Sequence, residues 1–264
     1  TGSGGLREGV NSMALLEVRN LTMKFGSPVA SNDVSFDVEK GSVVGLIGPN
    51  GAGKTTLFNC VSGFYKPTSG KLFFDGRDVT NLPAYEVARL GAVRTFQVVR
   101  PLKEMTVLDN VLVGAFLRGA DNETAHSVAE ECLSLCRLED KSGNLAGGLP
   151  IGYKKRLEMA RALATGPTLL MLDEAMAGLT STEIKEALEI IKGLRERGIT
   201  LLVVEHIMEA IMSVADKVVV LDGGEKIAEG TPRDIVEDER VIKAYLGAKF
   251  TERLKRTGEV TKNG

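Results

Sequence analysis

Residues 48–55 read Gly-Pro-Asn-Gly-Ala-Gly-Lys-Thr, directly after the apolar run Val43–Ile47 and directly before a helical pattern. A G-x-x-x-x-G-K-[ST] loop works only between a buried strand and a helix. Its glycines let successive backbone N–H groups converge on phosphate oxygens, and the helix aims its positive end at the same point. An α/β chain is therefore expected. Gly48, Pro49, Asn50, Gly51, Ala52 and Gly53 become candidate phosphate contacts. Lys54 would set a point charge beside the β- and γ-phosphates of a nucleotide. Thr55 would place its hydroxyl on Mg²⁺, and Thr56 would reach an α-phosphate oxygen.

Residues 169–174, Leu-Leu-Met-Leu-Asp-Glu, supply a second motif. Four apolar residues followed by two carboxylates describe a buried strand that delivers acids at its carboxyl end, where α/β proteins bind ligands. Asp173 would hold Mg²⁺, directly or through water, and Glu174 is placed to polarise an attacking water. Apolar runs at residues 199–204 and 218–221 read as further buried strands. Residues 16–18, 34–38 and 72–75 read as strands of an antiparallel edge region. Thr180 and Glu183 form a capping box. Ile184, Ala187, Leu188, Ile191 and Leu194 follow on one apolar stripe, which Gly198 ends. Between residues 98 and 165 only helical patterns occur, at 105–117, at 124–137 and from near Ile151, and this block reads as a helical lobe inserted between two buried strands.

Composition narrows the function. The chain has 264 residues, 43% hydrophobic and 26% charged, with a net charge of −2. That is enough apolar material for a full core, which excludes a disordered chain, and it lacks the basic excess of a nucleic-acid binder. The longest apolar runs fall short of the ~18 residues that a bilayer span needs. Cys60, Cys132 and Cys136 cannot all pair. Cys132 and Cys136 lie one helical turn apart, a spacing that would admit a two-thiolate metal site, but buried thiols in a reducing cytoplasm are the simpler reading. Residues 1–12, rich in Gly and Ser before Met13, read as an expression-tag remnant. Residues 247–264 carry five Lys/Arg and two Glu and read as a basic polar tail.

With both motifs in this order, residues 15 to about 246 resemble the ATP-binding subunit of an ABC transporter. The resemblance implies a P-loop NTPase core with an antiparallel β edge region and an inserted helical lobe (about 98–165), in one ATPase domain spanning 13–246. ATP and Mg²⁺ are the implied ligands. Phe25, before Gly26, matches the aromatic that stacks on adenine. Gln97, in Arg94-Thr-Phe-Gln97, matches the glutamine that joins the catalytic core to the lobe. His206, in Val203-Val-Glu-His206, matches the switch histidine at the γ-phosphate, and Ala177-Gly-Leu-Thr180 occupies the loop that crosses to a partner subunit. The implied catalytic set is Glu174, His206, Gln97 and Lys54, and the implied metal set is Thr55, Gln97 and Asp173. His126, on a polar helix, receives no role.

The family consensus Leu-Ser-Gly-Gly-Gln, at a helix N-terminus facing the opposite subunit's nucleotide, is altered in this chain. Leu145-Ala-Gly-Gly-Leu149 offers a superficial match. A gap-free fit of Arg156-Leu-Glu-Met-Ala-Arg161-Ala-Leu163 instead assigns the consensus to Leu149-Pro-Ile-Gly152-Tyr153, with Pro150 suited to the helix start. Leu149, Gly152 and Tyr153 are then candidate nucleotide contacts, while the serine hydroxyl and the first glycine are gone. Lys154-Lys-Arg156 would add positive charge beside them, unless it is only a solvated basic face. Ala175 and Thr180 stand where the family has proline and aspartate.

Residues Glu174-Ala-Met-Ala-Gly-Leu179, Ala228-Glu-Gly-Thr-Pro232 and Val241-Ile-Lys-Ala-Tyr-Leu246 resemble the branched-chain amino-acid uptake subgroup. This implies an ATPase that closes as a head-to-tail dimer with an identical or paralogous subunit. It also implies transmembrane permease subunits, an extracytoplasmic solute-binding protein engaged indirectly, no nucleic acid, and a cytoplasmic place on the inner face of the membrane. Two other readings stay open: an ABC ATPase acting on nucleic acid or ribosomes, and a weakly hydrolysing regulatory subunit suggested by the altered consensus. An unrelated P-loop kinase would leave the consensus-like helix unexplained.

Overall fold

The structure, a computed structural model, describes residues 14–245. In chain order its strands are β1 (Ala14–Lys24), β2 (Val29–Glu39), β3 (Val43–Ile47), β4 (Ser69–Phe74), β5 (Arg77–Asp78), β6 (Ala92–Arg94), β7 (Leu169–Asp173), β8 (Thr200–Val204), β9 (Lys217–Asp222) and β10 (Glu225–Gly230). The helices are α1 (Lys54–Val61), α2 (Ala84–Arg89), α3 (Val107–Phe116), α4 (Asn122–Leu135), α5 (Ile151–Ala164), α6 (Ser181–Glu196), α7 (Met208–Met212) and α8 (Pro232–Glu237).

Strands without a polar face need cover on both sides. β3, β7 and β8 are buried at every residue, and they lie within a six-stranded sheet of order β10-β9-β3-β8-β7-β6. All neighbours in it are parallel except the β9–β10 pair. Alternate residues divide between two cores. Val44, Leu46, Met171, Leu202, Val204 and Val219 pack with α1 and the strands of a second sheet. Val43, Ile47, Leu170, Leu172, Leu201 and Val203 pack with α3, α4, α5 and α6 on the other side. Each such side chain contributes about 1.5–3 kcal/mol by leaving water.

The expected antiparallel region is a four-stranded sheet of its own, of order β2-β1-β4-β5, laid across one face of the main sheet. β1 and β2 are also longer than their sequence patterns indicate. Register shifts between Val18 and Leu21, and again near Met23, break the period-2 alternation that would have shown their full length. β6, with three residues, is too short to show a pattern, and β10 is mostly polar.

Between β6 and β7 lie α3, α4 and α5, packed on one another; the β contact there among the described residues is an isolated bridge from Thr106 to Leu145. Thr106 and Asp109 cap α3 with a capping box, and Asp121 caps α4. Thr180 and Glu183 cap α6 in the same way. Its buried face comprises Ala187, Ile190, Ile191 and Leu194, with Ile184 and Leu188 half-buried against the core, so Ile190 widens the expected stripe. All three cysteines are free and buried. Burial pushes the Cys60 and Cys132 thiols up to about 12, which leaves them protonated and inert at neutral pH. The proposed tag remnant and the basic tail lie outside the described residues.

Candidate nucleotide site

β3, β8, β7 and β6 are successive parallel neighbours, so their carboxyl ends share one edge of the sheet. That edge collects the glycine loop after β3, Glu205-His206 after β8, Asp173-Glu174 at β7 and Arg94 to Gln97 at β6. Parallel pairing alone brings together residues more than a hundred positions apart in the chain.

The loop is held by its neighbours. A Cβ on Gly48 would overlap the carbonyl oxygen of Leu221 at the end of β9, so only glycine fits there. Lys54, 6% exposed, opens α1 and curls back over the loop. Its ammonium donates to the carbonyls of Gly48 (2.7 Å) and Pro49 (2.9 Å), which leaves one of three N–H bonds for an anion. Burial lowers its pKa, while the charges of Glu174 and Asp173 oppose that shift. No side chain caps α1 and no acid occupies its first turn, so its first N–H groups are open to a phosphate.

Asp173, 3% exposed, accepts a hydrogen bond on Oδ2 from Arg94 at 2.9 Å, whereas its Oδ1 is buried without a partner. Burial raises its pKa, opposed by the guanidinium of Arg94. Glu174 follows in the left-handed region, at φ 48°, a strained conformation for a residue other than glycine. Four bonds hold it there. Its N–H donates to Val204 (2.9 Å), its carbonyl accepts from Lys155 Nζ (2.6 Å) and from the Ala177 N–H (3.2 Å), and its Oε2 accepts from Gln97 Nε2 (2.8 Å). Thr55, Gln97 and Asp173 line one cleft of about 480 Å³ together with Arg94, Arg100 and Arg161.

A hard divalent cation prefers oxygen donors. Thr55, Gln97 and Asp173, which line one cleft, offer such donors: the hydroxyl of exposed Thr55, the carbonyl oxygen of Gln97, whose amide nitrogen is already engaged, and the orphaned Oδ1 of Asp173. The residues fit Mg²⁺.

His206 stands apart from this cluster. Nearly half of its side chain is exposed, and Nδ1 lies 3.9 Å from Glu205 Oε2. It lines a separate groove of about 550 Å³ with Ile207, Ile235, Val241 and Tyr245. Phe25 is half-exposed and meets Tyr65 edge to face at 5.4 Å, giving an open aromatic surface beyond the loop.

α5 begins at Ile151 with Pro150 as its N-cap, and no side chain caps it and no acid lies in its first turn. Leu145-Ala-Gly-Gly-Leu149 forms a 3₁₀ turn before it. Leu149 is 5% exposed and belongs to the lobe core, so its side chain is not available to a ligand. A Cβ on Gly152 would run into the carboxylate of Glu183, so this glycine serves the packing of α5 against the cap of α6. Tyr153 lies between the cations of Lys141 (5.6 Å) and Arg156 (5.2 Å). Lys154-Lys-Arg156 is not one basic face: Lys155 is turned to Glu174 and Arg156 pairs with Glu186, leaving the Lys154 side chain without a hydrogen bond or ion pair among the described residues.

Four residues at this edge, Arg94, Lys155, Glu158 and Glu205, support the site although the sequence assigns none of them a catalytic or metal role. Glu158 Oε1 accepts the Phe96 N–H at 2.7 Å, and buried Glu205 accepts the Met176 N–H at 2.6 Å, bracing the segments beside Gln97 and Glu174. The available signal for Glu205 was its position after an apolar strand parallel to the one ending in Asp173.

Residues 31–177 match the family model described as ABC transporter, and residues 225–251 match the one described as branched-chain amino acid ATP-binding cassette transporter. The chain is 44% identical over 252 residues to the high-affinity branched-chain amino acid transport ATP-binding protein BraF of Pseudomonas aeruginosa, a match covering 89% of this chain and 99% of the relative. Identity to LivG of Escherichia coli, whose description is the same, is 42% over 253 residues with the same two coverages. Among solved structures, the ADP conformation of MJ1267, an ATP-binding cassette of an ABC transporter, superposes with a TM-score of 0.81 at 34% identity, covering 89% of this chain and 99% of that one. A dimeric post-hydrolysis state of the cassette MJ0796, bound to ADP and Pi, gives 0.74 at 27% identity, with 83% and 99% covered. These named relatives are transport proteins, which disfavours the readings as a nucleic-acid ATPase or a kinase. Matches of this length, on a sheet that gathers the glycine loop and the two carboxylates at one edge, make the chain a member of the ABC transporter family: an ATP-binding subunit whose ATP hydrolysis is coupled to transport.

Proposed function

We propose that the chain hydrolyses MgATP in a head-to-tail dimer with an identical or paralogous subunit, and thereby drives uptake of branched-chain amino acids through transmembrane permease subunits. The relatives' names and the match over residues 225–251 support the substrate class. The observation that carries the catalytic reading is the Gln97–Glu174 hydrogen bond, directly beside buried Asp173. It ties the carboxylate just beyond β7 to the segment that leads into α3.

In this reading the free N–H of Lys54, with the backbone N–H groups of residues 48–56, holds the β- and γ-phosphates. Phe25, backed by Tyr65, stacks on the base. Thr55, Gln97 and Asp173 hold Mg²⁺, which when bound neutralises charge on the phosphate oxygens. Glu174, released from Gln97, accepts a hydrogen bond from the attacking water and orients it. His206 approaches the γ-phosphate from the end of β8 and stabilises its charge. The open N-terminus of α5 at Gly152 and Tyr153 donates N–H groups to the partner's nucleotide, without the serine hydroxyl of the family. Losing that charge-assisted bond weakens the closed dimer by roughly 1.5–3 kcal/mol.

No helix among the described residues is long and apolar enough to cross a membrane. Exposed Phe96, Val98 and Leu102 lie in the segment around Gln97, and exposed Val113, Phe116 and Leu117 lie on α3 and at its C-cap; these apolar side chains suit the permease. The chain would sit peripherally on the cytoplasmic face, with a solute-binding protein acting from the opposite side. Glu174→Gln tests the mechanism. The variant should bind MgATP and sediment as a dimer while hydrolysis falls at least about 100-fold, the lower range for removing a general base. Turnover at the wild-type rate would remove Glu174 from the chemistry.

A further inference from the structure

Arg94 has no part in the function described above, although its guanidinium is the most heavily contacted cation at the site. Its side chain is 9% exposed. Nη1 donates to Asn59 (2.5 Å) and to Ser62 (3.1 Å), Nε to the Thr95 carbonyl (3.2 Å), and Nη2 to Asp173 Oδ2 (2.9 Å). The rings of Phe58, Phe64 and Phe96 pack on the same group at 4.8, 5.0 and 5.0 Å. A planar fork fixed by four hydrogen bonds and three aromatic rings has one available position. A lysine, with a compact charge and no flat face, could not be held in this way.

Stability alone does not account for the arrangement, because a buried ion pair recovers little beyond its own desolvation. Nor would stability explain why only one carboxylate oxygen is satisfied. Asp173 Oδ1 is buried with no partner, and Asp173 is one of the residues that line the cleft with Thr55 and Gln97. A carboxylate free to turn about its last torsion would exchange its two oxygens. Anchoring Oδ2 removes that freedom and leaves Oδ1 as the oxygen without a partner. We propose that Arg94 is a positioning residue for the metal carboxylate: by holding Asp173 Oδ2, it presents Oδ1 to Mg²⁺. The proposal rests on Asp173 being a Mg²⁺ ligand.

The test is a binding titration on the full chain with a fluorescent ATP analogue, first in EDTA and then against increasing Mg²⁺. Arg94→Met should leave affinity in EDTA within about twofold of wild type and raise the half-saturating Mg²⁺ concentration about tenfold, as loss of an outer-sphere partner does. Arg94→Lys should recover part of that shift. Adding Arg94→Met to Asp173→Asn should produce no further shift. An unchanged Mg²⁺ half-saturation in Arg94→Met overturns the proposal. So does an equal loss of affinity with and without metal, which would mark a purely structural residue. If Arg94→Met does not fold, Arg94→Lys and Phe96→Ala decide by the same titration, and no shift in either overturns it. If Asp173→Asn itself leaves the Mg²⁺ requirement untouched, the assignment of the metal ligand fails first and the proposal falls with it.

Discussion

Lys54 commits two of its three N–H bonds to its own loop, which fixes the charge in place before any phosphate arrives. Removing it should therefore cost binding more than folding. Lys54→Ala is expected to weaken ATP binding by about 1.5–3 kcal/mol, the worth of one charged hydrogen bond. Calorimetric titration would show this as a Kd raised at least tenfold while circular dichroism stays unchanged. An unaltered Kd would mean that the backbone N–H groups alone carry the phosphates. The motif residues were legible because their roles require particular chemistry at fixed spacing. Their supports were not. Lys155 on Glu174, Glu158 on Phe96 and Glu205 on Met176 are contacts between segments distant in sequence, and any hydrogen-bonding side chain of the right reach would read the same.

Among the helices, α5 and α6 explain why the altered consensus keeps one glycine. The carboxylate of Glu183 closes the capping box of Thr180 and lies where a Cβ of Gly152 would stand. Thr180 therefore has a local purpose in place of the family's aspartate. Thr180→Ala removes that cap and should destabilise the fold by about 1 kcal/mol. In a thermal melt this is a fall in Tm of roughly 2–4 °C for a domain of this size. Gly152→Ala should displace Glu183 from the same cap, so the double variant should lose less than the sum of the two single losses. Additive losses would mean that the two helix starts are independent. The cap was readable from the sequence, since its partners are three residues apart. Its contact with Gly152 exists only once α5 and α6 pack.

Over the whole molecule, two groups of carboxylates set the response to pH. Burial raises the pKa of Asp173, Glu158 and Glu205. These groups bind protons more readily folded than unfolded, so their charged forms cost stability at neutral pH and that cost declines as pH falls. Asp238, beside Arg240, is held down at about 2, below its ordinary 3.8, and hydrogen bonds also lower Asp121, Asp234 and Glu183. Their contribution is complete above their ordinary values and, for Asp238, is lost between 3.8 and about 2. Urea denaturation from pH 8 to pH 3 should thus show no loss of stability down to about pH 5 and a decline below about pH 4. A steady loss between pH 7 and pH 5 would contradict this assignment. By itself, the sequence determined the α/β class, the phosphate loop, the acidic strand end and the cap of α6, because each is a short-range pattern with one physical solution. The tertiary structure decided that the antiparallel strands form a separate sheet, that Leu149 faces the core, that Lys155 turns to the main-chain carbonyl of Glu174, and that Arg156 pairs with Glu186. It also joined Arg94 to Asp173 across adjacent parallel strands. Which strands become neighbours depends on how whole faces are buried, and no local spacing encodes that.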